Sequence, residues 1–418
     1  MMNGKRIYVN TIANLSGVMW QGILVLLMAP VYLRLLGKEQ WGLVAACLSL
    51  QGVLLLLDAG MSQVMPRDFA KNKGASKDIY FNYLCLYFFV GILAVVILFS
   101  TANFIATNWF ELDNILAEKL IFAIKLFSGQ FFFQFCNNVN LAYWNGNEEQ
   151  IKTNISQCFF LSLKHLLAVI LIFTTYREIY VYLLAFFIVS TVEFFVNYLI
   201  INKGGGGICK PSLFVIKKII KDNYKLSIGI LLGVFSSQID RIFMSKFLDI
   251  KAFGLYVMVV QFGLALLQLQ YPIVRAVLPH VAKNDNSKLG LYKIISFFFI
   301  LIPSLILFLF TKNILWLWSH NIDIVNHGNM VVKILSMAVL INFFYNFIHV
   351  KLVVGNKGSV IMLSQLSVII VNSIFLMIFA PQLHEVAGAI SWFINFTIIL
   401  TFGVVFLKKR NDINEINC

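Results

Sequence analysis

The chain has 418 residues, of which 60% are hydrophobic and only 12% charged, with a mean hydropathy of +0.83. A soluble domain of this length cannot cover so much apolar surface, so the water-soluble classes are excluded. The formal charge of +14 therefore has to be placed around a membrane before any nucleic-acid partner is considered.

The first apolar run follows Lys5 and Arg6 and passes Pro30 without a small-residue cleavage site. It reads as a membrane helix and not as a cleaved signal. Further apolar runs of about 20 residues recur to the end, each enough for roughly 30 Å of hydrocarbon. They are continuous, whereas a β-barrel would show short alternating segments. Twelve spans are expected, over residues 9–35, 40–60, 80–100, 120–143, 153–175, 179–202, 226–248, 252–278, 290–311, 330–350, 360–380 and 386–407. The fold class is thus all-α and polytopic: two six-helix bundles over 1–202 and 226–407, a linker over 203–225 and a tail over 408–418.

With the N-terminus inside, 21 of the 33 Lys and Arg fall in cytoplasmic segments and 7 in outer ones. That bias orients the protein with both termini cytoplasmic. It makes the net charge a topology signal, and no nucleic-acid partner is expected. Glu111, Asp113 and Glu118 fall outside. The six cysteines, Cys47, Cys85, Cys136, Cys158, Cys209 and Cys418, form no CxxC pair, so neither a disulfide framework nor a metal site is expected.

In the fourth span, Lys125 shares a stripe with Ser128, Gly129, Cys136 and Asn140. In the fifth, Lys164 lies about eleven residues from either end, too deep to snorkel. Asn154, Gln157 and Lys164 fall within about 80° on a helical wheel, a polar stripe expected to face a cavity. The linker begins with Gly204 to Gly207, a flexible joint. Beyond Pro211 it is amphipathic: Leu213, Ile216 and Ile220 lie on one face and Lys217, Lys218 and Lys221 on another, as on a helix resting on an anionic leaflet. The seventh span puts Gly229, Gly233, Ser236 and Asp240 on one face with Arg241 beside it, the eighth ends with Arg275, and the tenth carries Lys333 and Ser336.

The halves also look like repeats. "RLLGKEQWGLV" resembles "KFLDIKAFGLY", with Gly42 matching Gly254; Pro66 meets Pro279, and the Gly146-Asn147 turn meets Gly355-Asn356. Lys125, Ser128, Gln134, Phe135 and Asn138 match Lys333, Ser336, Asn342, Phe343 and Asn346 at one constant offset. Six spans per half make the repeats parallel, the geometry of two-bundle transporters with a path between the bundles.

The spans hold five cations, Lys125, Lys164, Arg241, Arg275 and Lys333, against three acids, Asp58, Glu193 and Asp240. Two readings stay open for each charge. It is a satisfied interhelical pair, Lys164 with Glu193 being the nearest candidate since short connections make spans five and six neighbours. Or it lines a hydrated cavity that takes an anion, the role expected of Lys164, which lies deep on a polar stripe with no acid at i±3 or i±4. Lys125 and Lys333 also have the option of snorkelling to the outer face.

Three stretches carry a family resemblance: "NTIANLSGVMWQGILVLLMAPVYLRLLG" (10–37), "WGLVAACLSLQGVLLLLDAG" (41–60) and "SSQIDRIFMSKFLDIKAFGLY" (236–256). The chain resembles the Wzx-type polysaccharide flippases of the MOP (multidrug, oligosaccharidyl-lipid and polysaccharide) exporter superfamily. The resemblance implies two bundles in a V and movement of undecaprenyl-diphosphate-linked O-antigen units from the cytoplasmic to the periplasmic leaflet of a bacterial inner membrane. An O-antigen polymerase and a chain-length regulator would then be partners beside the lipid bilayer. The diphosphate would be the anion met by the interior cations. Trp20, Gln21, Gln130, Gln134 and Asn138 are candidate walls for the sugars. A multidrug antiporter of the same superfamily is the alternative, disfavoured because the first span has no acid. A membrane enzyme such as an O-antigen polymerase would be expected to carry a large extramembrane loop. No cofactor is expected: residues 203–207 do not make a nucleotide-binding loop. Coupling to an ion gradient would fall to Asp58, Glu193 or Asp240.

Overall fold

The computed structural model describes residues 4–71, 76–203, 211–268, 270, 289–355 and 357–416. All regular elements among them are helical. The chain divides into two compact units, Met1–Leu231 and Leu232–Cys418.

In the first unit, α1 (Gly4–Leu54) carries both of the first two expected spans. They meet at Gly37, whose φ of 80° and ψ of 170° interrupt the helical backbone. Space around a Cβ there is open, so the position needs glycine for its backbone freedom and not for its size. A short 3₁₀ turn, Leu55–Asp58, leads through left-handed Ala59 and Gly60 into α2 (Met61–Lys71). Then follow α3 (Ser76–Phe104), α4 (Asn114–Gly146), α5 (Gln150–Thr174), α6 (Ile179–Asn202) and α7 (Leu213–Ser236), the last containing the boundary between the units. Helix α4 packs on both α3 and α6, and α5 packs on α6 and α1. Helix α3 turns Tyr80, Tyr83 and Tyr87 into the core, all but inaccessible. Spacings of three and four put them on one face.

The second unit comprises α8 (Ile239–Phe247), α9 (Ile250–Gly263), α10 (Leu289–Ser296), α11 (Ile302–Leu309), α12 (Thr311–Ser319), α13 (Ile322–Val354), α14 (Gly358–Leu383) and α15 (Glu385–Ile416). Its core joins Val339 and Phe343 of α13 to Val368 of α14 and to Phe396 and Ile399 of α15.

The repeat seen in the sequence reappears as element boundaries. Helices α4 and α13 each have 33 residues, and both ends of α13 lie 208 residues after those of α4. Each starts on a side-chain cap at the same offset: Asp113 accepts from the Leu116 N–H at 2.8 Å, and Asn321 from the Asp323 N–H at 2.9 Å. Such caps satisfy N–H groups that a helix start leaves open.

Among the described residues, seven helices are long and apolar enough to cross a membrane, or eight if 293–309 and 311–319, bent by 93°, count together. Twelve spans were expected. The first two fall within one long stretch, 13–58, but the break at Gly37 separates them as expected. The seventh is broken between α7 and α8 at Ser237 and Gln238, where the turn closes on backbone bonds to Gly233, Val234 and Phe235. Two further boundaries shift. The amphipathic segment after Pro211 and the start of the seventh span are one helix, α7, because no helix-breaking residue separates them. The expected tail is helical to Ile416 as part of α15. Gly204 to Gly207, Arg275, Pro279 and Asn356 lie outside the described residues.

Candidate functional site: a buried polar network in the first unit

Lys164 is 7% exposed, and its Nζ lies 2.8 Å from Glu193 Oε2. The other carboxylate oxygen, Oε1, accepts from Asn137 Nδ2 at 2.9 Å. Asn137 Oδ1 in turn accepts from Asn140 Nδ2 and Asn197 Nδ2, each at 3.0 Å. Asn197 Oδ1 accepts from Ser156 Oγ at 3.0 Å, and Asn140 Oδ1 from Tyr80 OH at 2.6 Å. Seven buried side chains on α3, α4, α5 and α6 are thereby joined into one network.

Helical spacing makes this possible. Asn137 and Asn140 are three apart on α4, and Glu193 and Asn197 four apart on α6, so each pair stacks on one face. Ser156 and Lys164, two turns apart, present the matching face of α5. Both carboxylate oxygens are occupied and the amides are used on both sides. A buried charge is tolerated when its partners are complete in this way. The pair reading of Lys164 is therefore realised, and Glu193 is its partner.

The stripe expected on α5 does not face one space. Asn154 turns to α1, donating to Asn14 Oδ1 at 2.6 Å, while Lys164 turns to α6. Cys158 and Ser162 continue the α1 contact: the thiol reaches the Gly17 carbonyl at 3.8 Å, and Trp20 Nε1 donates to Ser162 Oγ at 3.0 Å. A Cβ on Gly17 would stand 2.1 Å from Asn154 Oδ1, so the close approach requires glycine. The wheel grouped Asn154 with Lys164, but an 80° spread is wide enough to be shared by two neighbouring helices.

The stripe expected on α4 is likewise packed. Ser128, Cys136 and Asn140 are fully buried, and Ser128 Oγ donates back to the Lys125 carbonyl at 2.6 Å. Lys125 itself is exposed, and its repeat mate Lys333 is half-buried. In the second unit the expected shared face of Ser236 and Asp240 is lost at the break between α7 and α8. Ser236 donates to Gln365 Oε1 at 2.6 Å, and Asp240 Oδ2 accepts from Tyr256 OH at 2.7 Å. Gly388 leaves room for that tyrosine, whose hydroxyl would be 2.1 Å from an added Cβ. Arg241 is half-buried, and its Nε has no hydrogen-bond partner among the described residues.

Asp58 is also tied down. It accepts from Tyr87 OH at 2.5 Å and from the hydroxyl and N–H of Ser62 at 2.8 and 3.1 Å. Of the residues considered for sugars, Trp20 is exposed, Gln21, Gln134 and Asn138 are half-buried, and Gln130 is buried with its amide 3.4 Å from Gln134 Oε1. Among the described residues, no cluster of His, Cys, Asp and Glu could hold a metal.

Sequence reasoning missed Asn137, Asn197, Ser156 and the tyrosines of α3 as members of buried polar networks. The available signal was the Asn137/Asn140 pair in an otherwise apolar helix, with Glu193/Asn197 answering it.

Residues 7–285 match the model of a family described as "Polysaccharide biosynthesis protein". No curated protein matches the chain. The fold matches solved structures along nearly its whole length. The lipid II flippase MurJ, in an inward closed conformation, aligns at 14% identity over 96% of this chain and 87% of that one, with a TM-score of 0.78. A multidrug resistance MATE family transporter of the MOP superfamily, inward-facing, aligns at 15% identity over 96% and 98%, with a TM-score of 0.75. A MOP superfamily transporter from Pyrococcus furiosus, noted for the reverse polarity of its binding pocket, aligns at 15% over 97% and 92%, with a TM-score of 0.63. With two thirds of its length in the family model and an all-helical membrane fold shared with MATE and MurJ, this chain belongs to the polysaccharide biosynthesis protein family and has the MOP-superfamily fold.

Proposed function

We propose that this protein is a flippase that carries undecaprenyl-diphosphate-linked O-antigen units from the cytoplasmic to the periplasmic leaflet of a bacterial inner membrane. The observation that carries this reading is the family match over residues 7–285, on a fold it shares with a lipid II flippase. The reading takes both termini to be cytoplasmic, a polymerase and a chain-length regulator to follow it in the same pathway, and alternating access to be the mode of transport.

In this reading the cations not consumed by the buried network hold the diphosphate. Lys125, Lys333 and Arg241 are the described candidates, with Arg275 beside them from the sequence. Lysine and arginine bind phosphate oxygens through charge-assisted bonds. Exposed Trp20 offers an aromatic face to sugar. Asp58, Glu193 and Asp240 are candidates for ion coupling, and each would first have to release its present partners.

The test is a flipping assay with the purified chain in sealed vesicles. Fluorescently tagged undecaprenyl-diphosphate oligosaccharide should become accessible on the opposite leaflet, and lipid II should be moved more slowly. Equal or faster movement of lipid II would replace the O-antigen reading with a peptidoglycan-precursor one. Movement of a cationic drug with no lipid transport would favour the multidrug alternative, which the MATE likeness also supports at the level of fold.

A further inference from the structure

The first two turns of α7 present a face that the network and the proposed transport leave unused. Leu213 and Phe214 are among the most exposed apolar side chains of the first unit, at 77% and 78%, and Ile220 is 44% exposed. Lys217, Lys218 and Lys221 are exposed beside them, while Ile219 alone turns inward at 8%. At 100° per residue, Leu213 and Ile220 form one exposed edge, the three lysines with Phe214 form the next, and Ile219 lies on the far side. The helix has one packed line and, facing away from the protein, an apolar strip bordered by charge.

Its position is fixed. The Ser212 N–H donates to Asn82 Oδ1 on α3 at 2.7 Å, and Asn82 Nδ2 is held by the Asp78 carbonyl at 2.7 Å. At its other end α7 continues without interruption into the apolar run 226–234. The basic turns therefore form the polar end of a helix whose other end is apolar. Lys77 adjoins the anchor on α3, as does the acid Asp78; Asp222 follows Lys221 in sequence.

We propose that residues 213–221 are a docking surface for anionic phospholipid headgroups. Leu213, Phe214 and Ile220 enter the acyl boundary, and Lys217, Lys218 and Lys221 meet the phosphates. Charge complementarity selects this occupant: an apolar edge beside three lysines matches a negatively charged leaflet. The inference does not depend on which substrate the protein carries.

Native mass spectrometry of the purified full chain tests it, with phosphatidylglycerol and phosphatidylcholine of equal chain length as probes. The wild type should hold phosphatidylglycerol at least tenfold more tightly. A surface lysine near an anionic leaflet is worth about fivefold in binding, so K217Q/K218Q/K221Q should lose at least tenfold in phosphatidylglycerol affinity, with phosphatidylcholine unchanged. K217R/K218R/K221R should keep the preference, as should the control K312Q. No preference in the wild type would overturn the proposal. So would an undiminished preference in the glutamine variant, or an equal loss in the arginine variant, which would mark a packing defect and not a charge effect.

Discussion

Helices α4 and α13 share their length, their capped starts and their constant offset, yet what surrounds them differs in kind. Around α4, Asn137 and Asn140 organise a network that ends in the Lys164–Glu193 ion pair. At the same offset, α13 carries Tyr345 and Ile348, and the counterpart of Lys164 is Asn372 on α14. Asn372 is 2% exposed and donates to the Ser391 carbonyl at 3.1 Å. One copy of the repeat thus meets this depth with a neutral amide whose Nδ2 bonds backbone and whose Oδ1 has no hydrogen-bond partner among the described residues, the other with a full charge pair. The fold does not require charge there. Among the described residues the counterpart position of the second unit carries no such pair, and the integrity of the pair in the first unit rests on its partners being present.

The largest expected effect follows from removing one charge. Lys164→Ala would leave Glu193 buried with only Asn137, and breaking a buried pair in this way costs about 3–5 kcal/mol. A steep fall in thermal midpoint in detergent, or loss of folded protein from the membrane, is expected. A midpoint within a degree of wild type would show that the carboxylate has another partner.

Asn137→Ala should come next. It removes the acceptor of two amides and one donor to Glu193, at about 2–3 kcal/mol for unsatisfied buried groups. Urea unfolding of the solubilised chain would measure it. In the second unit, Asn372→Ala removes a single bond to backbone and should cost about 1 kcal/mol. If Asn372→Ala proved as damaging as Asn137→Ala, the contrast between the two copies would fail.

Much of this was legible in sequence. Continuous apolar runs located the helices of both units, since a helix crossing hydrocarbon must be about 20 residues long and apolar whatever else it does. The offset match of Lys125 and Lys333 anticipated two helices with the same bounds. Glu193 stood as the one acid near Lys164 on a neighbouring span. The hub was not legible, because an asparagine in an apolar helix says nothing of which neighbour it faces. The turn at Ser237 and Gln238 was hidden for a similar reason: no glycine or proline marks it. Stripes drawn on a wheel assumed unbroken helices and single neighbours, and both assumptions failed, for Asp240 in one case and Asn154 in the other.

The central claim is that the charge of Lys164 is consumed by Glu193 and is not held in reserve for an anion. The double variant Lys164→Met/Glu193→Gln tests it most directly. Methionine fills the lysine's volume, and glutamine keeps an acceptor for Asn137. Read as surface glycan in cells whose own flippase gene is deleted, at matched protein level, the double variant should restore glycan to near the wild-type amount while Lys164→Ala alone does not. A double variant that is folded, abundant and still devoid of surface glycan would contradict the claim and give Lys164 or Glu193 a part in transport itself.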